Sequence, residues 1–174
     1  IESKNPKWNY WFAKDIKGAD VKAHGQVIIE SKDSDWNYNF AKNVKGADVK
    51  AHGKVVIKSK NLELNYEFVK NIEGADIKAH GKAVIESKDP KWNYIFALYV
   101  KGADVKAHGQ VIIESKEPEW IGCFKESFKD QYEIIKRNHL MKGAYNFIDN
   151  ALDEMIEENN EENNEENKSM QKRS

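Results

Sequence analysis

Gly18-Ala-Asp-Val-Lys-Ala-His-Gly-Gln-Val-Ile-Ile-Glu-Ser-Lys32 is the stretch on which the fold turns. It returns almost unchanged from Gly46, from Gly74 and from Gly102, a period of 28 residues, and a partial fifth copy begins at Glu117-Pro118-Glu119-Trp120. Units repeated at a fixed period of about 20 to 50 residues bury their apolar faces against one another and cannot do so alone. The opening Ile1-Glu2-Ser3-Lys4 has the wording of Ile29 to Lys32, so the first copy is read as preceded by the end of another.

Each copy reads as two short helices. The first starts at Asn5-Pro6, Asp33-Ser34, Asn61-Leu62 and Asp89-Pro90, an Asn or Asp cap followed twice by a proline tolerated at the first helical position. It is expected to end at Gly18, Gly46, Gly74 and Gly102, where glycine accepts a left-handed backbone. Between these signals Trp8, Phe12 and Ile16 fall at i, i+4 and i+8, as do Trp36, Phe40, Val44 and Trp92, Phe96, Val100, and this stripe is predicted to be core. Asp20, Asp48, Asp76 and Asp104 stand where a second helix needs a cap, and that helix is predicted over Val21 to about Ser31. A Gly-Ala turn between helices of about 12 and 11 residues makes a tight antiparallel hairpin. The expected fold is therefore all-α: an α-solenoid of four 28-residue helix-turn-helix repeats over residues 1–116, with the right-handed superhelix of other α-solenoids.

Gly25, Gly53, Gly81 and Gly109 lie in the middle of the second helix, where each costs about 1 kcal/mol relative to alanine. Close approach of another helix is the gain that explains four such losses, ahead of a ligand that needs bare backbone or a kink.

A regular repeat lines up identical residues as ladders about 10 Å apart. His24, His52, His80 and His108 form one. Zinc needs ligands about 2 Å from one centre, whereas equivalent side chains on successive helices run parallel, so a structural histidine is expected and no metal site. Asn9, Asn37, Asn65 and Asn93 never vary, which suits a fixed bond to a neighbouring turn or helix end and not a base-reading code. Tyr10, Tyr38, Tyr66 and Tyr94 read as aromatics at the edge of the core. Lys22, Lys50, Lys78 and Lys106, with Lys32, Lys60, Lys88 and Lys116, make basic rows, but Asp20, Glu30 and Glu86 are interleaved with them.

Discrimination belongs at positions the fold leaves free. One such position reads Trp11, Asn39, Glu67 and Ile95, and another reads Asp15, Asn43, Asn71 and Tyr99. Both lie on one face of the first helix. Trp11, Ile95, Leu98 and Tyr99 would be exposed apolar surface unless covered, the last three by the C-terminal region.

After Lys116 the chain departs from the pattern. Trp120, Phe124, Phe128, Tyr132 and Ile135 keep helical spacing through one longer helix to about His139, and Ala144, Phe147, Ile148, Ala151, Leu152 and Met155 share a face of a second. Residues 117–156 are read as a divergent helical cap, with a dimer contact through these helices as the alternative. Residues 157–174 form an acidic Asn/Glu-rich tail of low complexity that lacks apolar anchors.

The net charge of −1 conceals a split: residues 1–116 carry 20 Lys against 15 Asp and Glu, while 117–174 carry 8 Lys and Arg against 14. Cys123 is the only cysteine, which excludes an internal disulfide and favours a reducing, cytoplasmic setting. No apolar run of about 18 residues marks a membrane span.

The pattern Asp/Asn-Pro-x-Trp-Asn-Tyr-x-Phe-Ala-x-x-Val-Lys-Gly-Ala-Asp-Val, with its Val-Ile-x-Ser-Lys ending, resembles short helical repeats of largely uncharacterised bacterial and phage proteins. The resemblance covers residues 1 to about 120, departs at Leu62-Glu63-Leu64, and implies no shared catalytic residues. No nucleophile-base-orienter set is visible, because the histidines recur where a catalytic residue is needed once. No cofactor is implied. The expectation is a non-catalytic, cytoplasmic, protein-binding scaffold that uses Trp11, Asp15, Asn39, Asn43, Glu67, Asn71, Ile95 and Tyr99, as a monomer or as a dimer through its C-terminal helices. The alternatives are nucleic-acid (RNA) binding through Lys22, Lys50, Lys78 and Lys106, or, by fold-level analogy, a mobile-element inhibitor of a bacterial RNA-guided nuclease defence.

Overall fold

Asn5, Asp33, Asn61 and Asp89 each accept a hydrogen bond from a backbone N–H in the first turn of the helix that follows, those of Lys7, Trp36, Leu64 and Trp92. Asp20, Asp48, Asp76 and Asp104 do the same for Ala23, Ala51, Ala79 and Ala107. Each cap contributes about 1 kcal/mol by satisfying a donor that the helix itself leaves open. In a computed structural model that describes residues 3–142, these starts define α1 (Pro6–Asp15), α2 (Val21–Ser31), α3 (Ser34–Asn43), α4 (Val49–Ser59), α5 (Leu62–Asn71), α6 (Ile77–Ser87), α7 (Pro90–Tyr99), α8 (Val105–Ser115) and α9 (Pro118–Ser127). The described residues are helix and connecting turn throughout, so the fold is all-α.

The first helix of each copy is shorter than expected, 10 residues, and ends before its glycine. Ile16, Val44, Ile72 and Val100 stop it by taking extended backbone, which in the last three turns a β-branched side chain into the core. Gly18, Gly46, Gly74 and Gly102 follow in the turn at φ of 79° to 88°, the left-handed conformation expected of them.

Each first helix packs on the second helix of its own copy and on the first helix of the next, giving the series α1, α3, α5, α7, α9 and beside it α2, α4, α6, α8. The second helix of one copy also packs on the first of the next. Phe40, Phe68, Phe96 and Phe124 are all fully buried, and each such ring contributes about 1.5–3 kcal/mol through burial.

The expected core stripe fails in the first copy. Trp8, Phe12 and Ile16 are 62%, 49% and 50% exposed. The stripe of a first helix is covered by the second helix of the preceding copy, and no described residue precedes α1 in that position.

The single helix expected from Pro118 to about His139 is two. α9 ends at Ser127, and Phe128 takes the non-helical position that Val44 and Val100 hold in their copies. A second helical stretch then runs over 129–142, to the end of the described residues. Lys129-Asp130-Gln131 has replaced Lys-Gly-Ala, so the chain enters this helix without the glycine turn. The chain divides into two units at the Tyr132–Glu133 boundary, and α1 to α9 belong to the first. The helix expected around Ala144 to Met155, and the acidic tail, lie outside the described residues. No helix among the described residues is long and apolar enough to cross a membrane.

Candidate functional site

Two of the four ladders, Asn and His, form with the buried phenylalanines and the mid-helix glycines one device that joins neighbouring copies. The Asn37 amide nitrogen donates to the carbonyls of Asp33 at 2.7 Å and of Ile28, in the preceding helix α2, at 2.9 Å. Both amide protons are thereby used, so the Asn37 oxygen must accept, and His52 Nδ1, 2.7 Å away, must donate. His52 is then neutral with its proton on Nδ1, and its bare Nε2 is buried without a hydrogen-bond partner. The Phe40 ring lies tilted against the His52 ring, centroids 4.8 Å apart, and presses against Gly25 of α2. A methyl group on Gly25 would come within 3.2 Å of Phe40 and 3.4 Å of His52 Nε2.

The same residues recur as Asn65, Phe68 and His80 against Gly53, where Asn65 donates to the Asn61 carbonyl, and as Asn93, Phe96 and His108 against Gly81, where Asn93 donates to the carbonyls of both Asp89 and, in α6, Val84. Burial, opposed only weakly by Asp48, Asp76 and Asp104, depresses the imidazoles of His52, His80 and His108 to about 4. The His and Asn ladders are therefore internal. Among the described residues no three His, Cys, Asp or Glu side chains converge as a metal site would require.

The varying positions lie on the opposite side of the first helices. Trp11 is 41% exposed, while Asn39, Glu67 and Ile95 are half-buried. Asp15, Asn43, Asn71 and Tyr99 are exposed, Tyr99 by 63%. Leu98 is exposed beside Tyr99, while Ile95 is packed against the Tyr66–Phe96 cluster.

The strip is polar in its middle and apolar at its two ends. In the middle, Asn71 donates to the Tyr38 hydroxyl at 3.1 Å and to the Glu67 carboxylate, which ties α5 to α3. At the far end the Tyr94 hydroxyl is 3.0 Å from Ser127 Oγ, the same offset of 33 residues.

Lys14, Lys42 and Lys70, which precede Asp15, Asn43 and Asn71 on the varying face, complete this surface. Lys14 lies 4.9 Å from the Trp11 ring and 5.5 Å from that of Tyr10; Lys42 lies 5.2 Å from Tyr38, and Lys70 5.0 Å from Tyr66. Hydrogen bonds to the Tyr38 and Tyr66 hydroxyls hold Lys42 and Lys70 above the ordinary lysine range. The signal was present in the sequence as Tyr and Lys four residues apart, the spacing that brings side chains together on a helix.

Lys22, Lys50, Lys78 and Lys106 are exposed at one position of α2, α4, α6 and α8. Lys54, Lys58 and Lys82 are exposed as well, and Lys50, Lys54 and Lys58 form a row along α4. Acids interrupt this surface: Lys82 pairs with Glu86 at 3.6 Å, and Lys78 shares a groove of about 420 Å³ with Asp104. Lys32, Lys60, Lys88 and Lys116 are exposed at the ends of the second helices with φ of 58° to 61°.

Comparison of the chain with protein-family models, with curated proteins and with solved structures finds no match.

Proposed function

We propose that this chain is a non-catalytic scaffold, a four-repeat α-solenoid with a C-terminal helical cap, that holds another protein against the varying face of α1, α3, α5 and α7. One observation carries the reading. The positions that join one copy to the next, Asn37, Phe40, His52 and their equivalents, are the same in every copy, whereas Trp11, Asn39, Glu67 and Ile95 change chemistry at a single surface position. Aromatic anchors near each end and a hydrogen-bonded polar centre match the make-up of protein-binding surfaces, in which a few large side chains carry most of the affinity. The buried, four-fold repeated His–Asn pairs argue for a structural use, since a catalytic group is needed once and within reach of substrate.

The exposed lysine row of α4, with Lys22, Lys78 and Lys82 on the helices beside it, favours a second reading, nucleic-acid binding. One experiment separates the two. The immobilised chain is exposed to lysate at about 0.15 M and about 0.5 M salt, with and without nuclease, because screening and digestion remove nucleic acid and spare an apolar protein contact. A defined protein retained under both conditions, lost with Trp11→Ala plus Glu67→Lys and kept with Lys22→Ala plus Lys50→Ala, is the expected result. Recovery of nucleic acid that depends on the two lysines would overturn the first reading in favour of the second.

A further inference from the structure

The joint between the second copy (α3, α4) and the third (α5, α6) is built with less than the joints on either side of it. Trp36 packs on Tyr10, Trp92 on Tyr66 and Trp120 on Tyr94, with ring centroids 5.5, 6.2 and 5.9 Å apart. The third copy has Leu64 at that position, and Tyr38 meets Phe68 instead, at 6.3 Å. Asn37 and Asn93 each donate to a carbonyl of the preceding second helix, Ile28 at 2.9 Å and Val84 at 3.0 Å, whereas Asn65 donates only to Asn61 of its own copy. In a stack of repeats each interface contributes its own term to stability, so a joint that lacks a large ring contact and a buried hydrogen bond is the easiest to open.

On the varying face Asn71 of α5 crosses this joint to the Tyr38 hydroxyl of α3. On the other side of α5, His80 donates from Nδ1 to Asn65 at 2.8 Å and sets Nε2 against α4. A methyl group on Gly53 would come within 3.1 Å of that nitrogen, closer than the 3.4 and 3.5 Å at His52 and His108. A second ring proton has to enter this contact. α5 meets the imidazole with Phe68 and Asn65, α4 meets it with Gly53, and α7 and α8 place Phe96 and His108 over the next residue, Gly81. The charged group that acts on His80 is Asp76, at the start of its own helix, and burial outweighs it, holding the closed imidazole at about 4.

We propose that the joint between the second and third copies is a hinge, opened by proton uptake on His80, at which these copies part before the other joints do. Under the protein-binding reading, opening moves Lys42 and Tyr38 of α3 away from Glu67 and Asn71 of α5 and disperses the polar centre of the strip.

The test uses the full chain with Cys123→Ala and one buried thiol, from Val56→Cys beneath Leu64 and Phe68 at this joint or from Val84→Cys beneath Phe96 at the next. Labelling by a disulfide reagent, divided by the rate for the urea-unfolded chain at the same pH, reads how often each joint opens. At about pH 7.5 the thiol of Val56→Cys is expected to label about tenfold faster than that of Val84→Cys, or more. A freed imidazole titrates near 6.5, so labelling at both sites should rise about tenfold at about pH 5.5. His80→Gln should abolish that rise for Val56→Cys and leave it for Val84→Cys. Leu64→Trp, which leaves His80 in place, should bring the two rates within about threefold of each other. Equal labelling of the two thiols at about pH 7.5, or no slowing by Leu64→Trp, would overturn the hinge. A rise for Val56→Cys that survives His80→Gln, or no rise at all, would overturn its control by His80. The labelling needs no partner, so the hinge and the protein-binding reading fail separately.

Discussion

At the scale of single residues, Gly53 gives up about 1 kcal/mol of helix propensity so that Phe68 and His80 can lie against bare backbone. A methyl group there would sit 3.1 Å from His80 Nε2 and 3.2 Å from Phe68, both fully buried. Gly53→Ala is therefore expected to destabilise by about 1–2 kcal/mol despite alanine's preference for helix, because overpacking costs more than propensity returns. Gly122, inside α9, is the control, since a methyl group there would meet nothing within 4 Å. Gly122→Ala should stabilise by up to about 1 kcal/mol. Urea midpoints of the two variants read the difference, and shifts of the same sign would contradict the packing account of the mid-helix glycines.

At the scale of the helix, starts and ends are solved differently. Every start from α1 to α8 uses an Asn or Asp side chain, while α9 begins at Glu117 without a side-chain cap bond. Every second helix ends on a lysine in the left-handed region, Lys32, Lys60, Lys88 or Lys116, where a side chain is strained by about 1 kcal/mol or more. Lys60→Gly should relieve that strain and raise stability by about 0.5–1 kcal/mol, part of the relief being offset by the greater freedom of glycine in the unfolded chain. A lower thermal midpoint for this variant would mean that the Lys60 side chain holds the helix end in a way that its φ does not reveal.

At the scale of the whole described structure, the repeated histidines add. His52, His80 and His108 are held neutral by burial, near 4 against 6.5 in an open chain. Above pH 6.5 both folded and unfolded forms are neutral at these sites and stability is unaffected. As pH falls from 6.5 toward 4 the unfolded chain takes up protons that the folded chain refuses, so stability is lost in that window, on the order of 3 kcal/mol for each histidine. Three such losses rival the whole stability of a typical domain, and acid unfolding is expected before pH 4 is reached. A thermal midpoint unchanged between pH 7 and about pH 4.5, a range mostly above carboxylate titration, would contradict buried neutral imidazoles.

The sequence by itself determined the period, the helical hairpin, the caps and the second-helix limits at Val21 and Ser31, because these rest on local rules: side-chain caps, glycine turns and spacing along one helix. It also pointed to close packing at Gly25 and its equivalents, but not to the ring that fills the space. That ring, Phe40 for Gly25, comes from the next copy, 15 residues on, and only the approach of two helices identifies it. The same is true of the His–Asn bonds, which span 15 residues within a copy, and of the Asn71–Tyr38 bond, which spans 33 residues between copies. Exposure of Trp8, Phe12 and Ile16 was illegible for the converse reason: their spacing matches that of buried stripes, and burial depends on a neighbouring helix, which a pattern along one helix cannot supply. The varying positions, by contrast, were legible by comparing the copies with one another, while their division into a hydrogen-bonded centre and apolar ends was decided by tertiary contacts that set which side chains meet across helices.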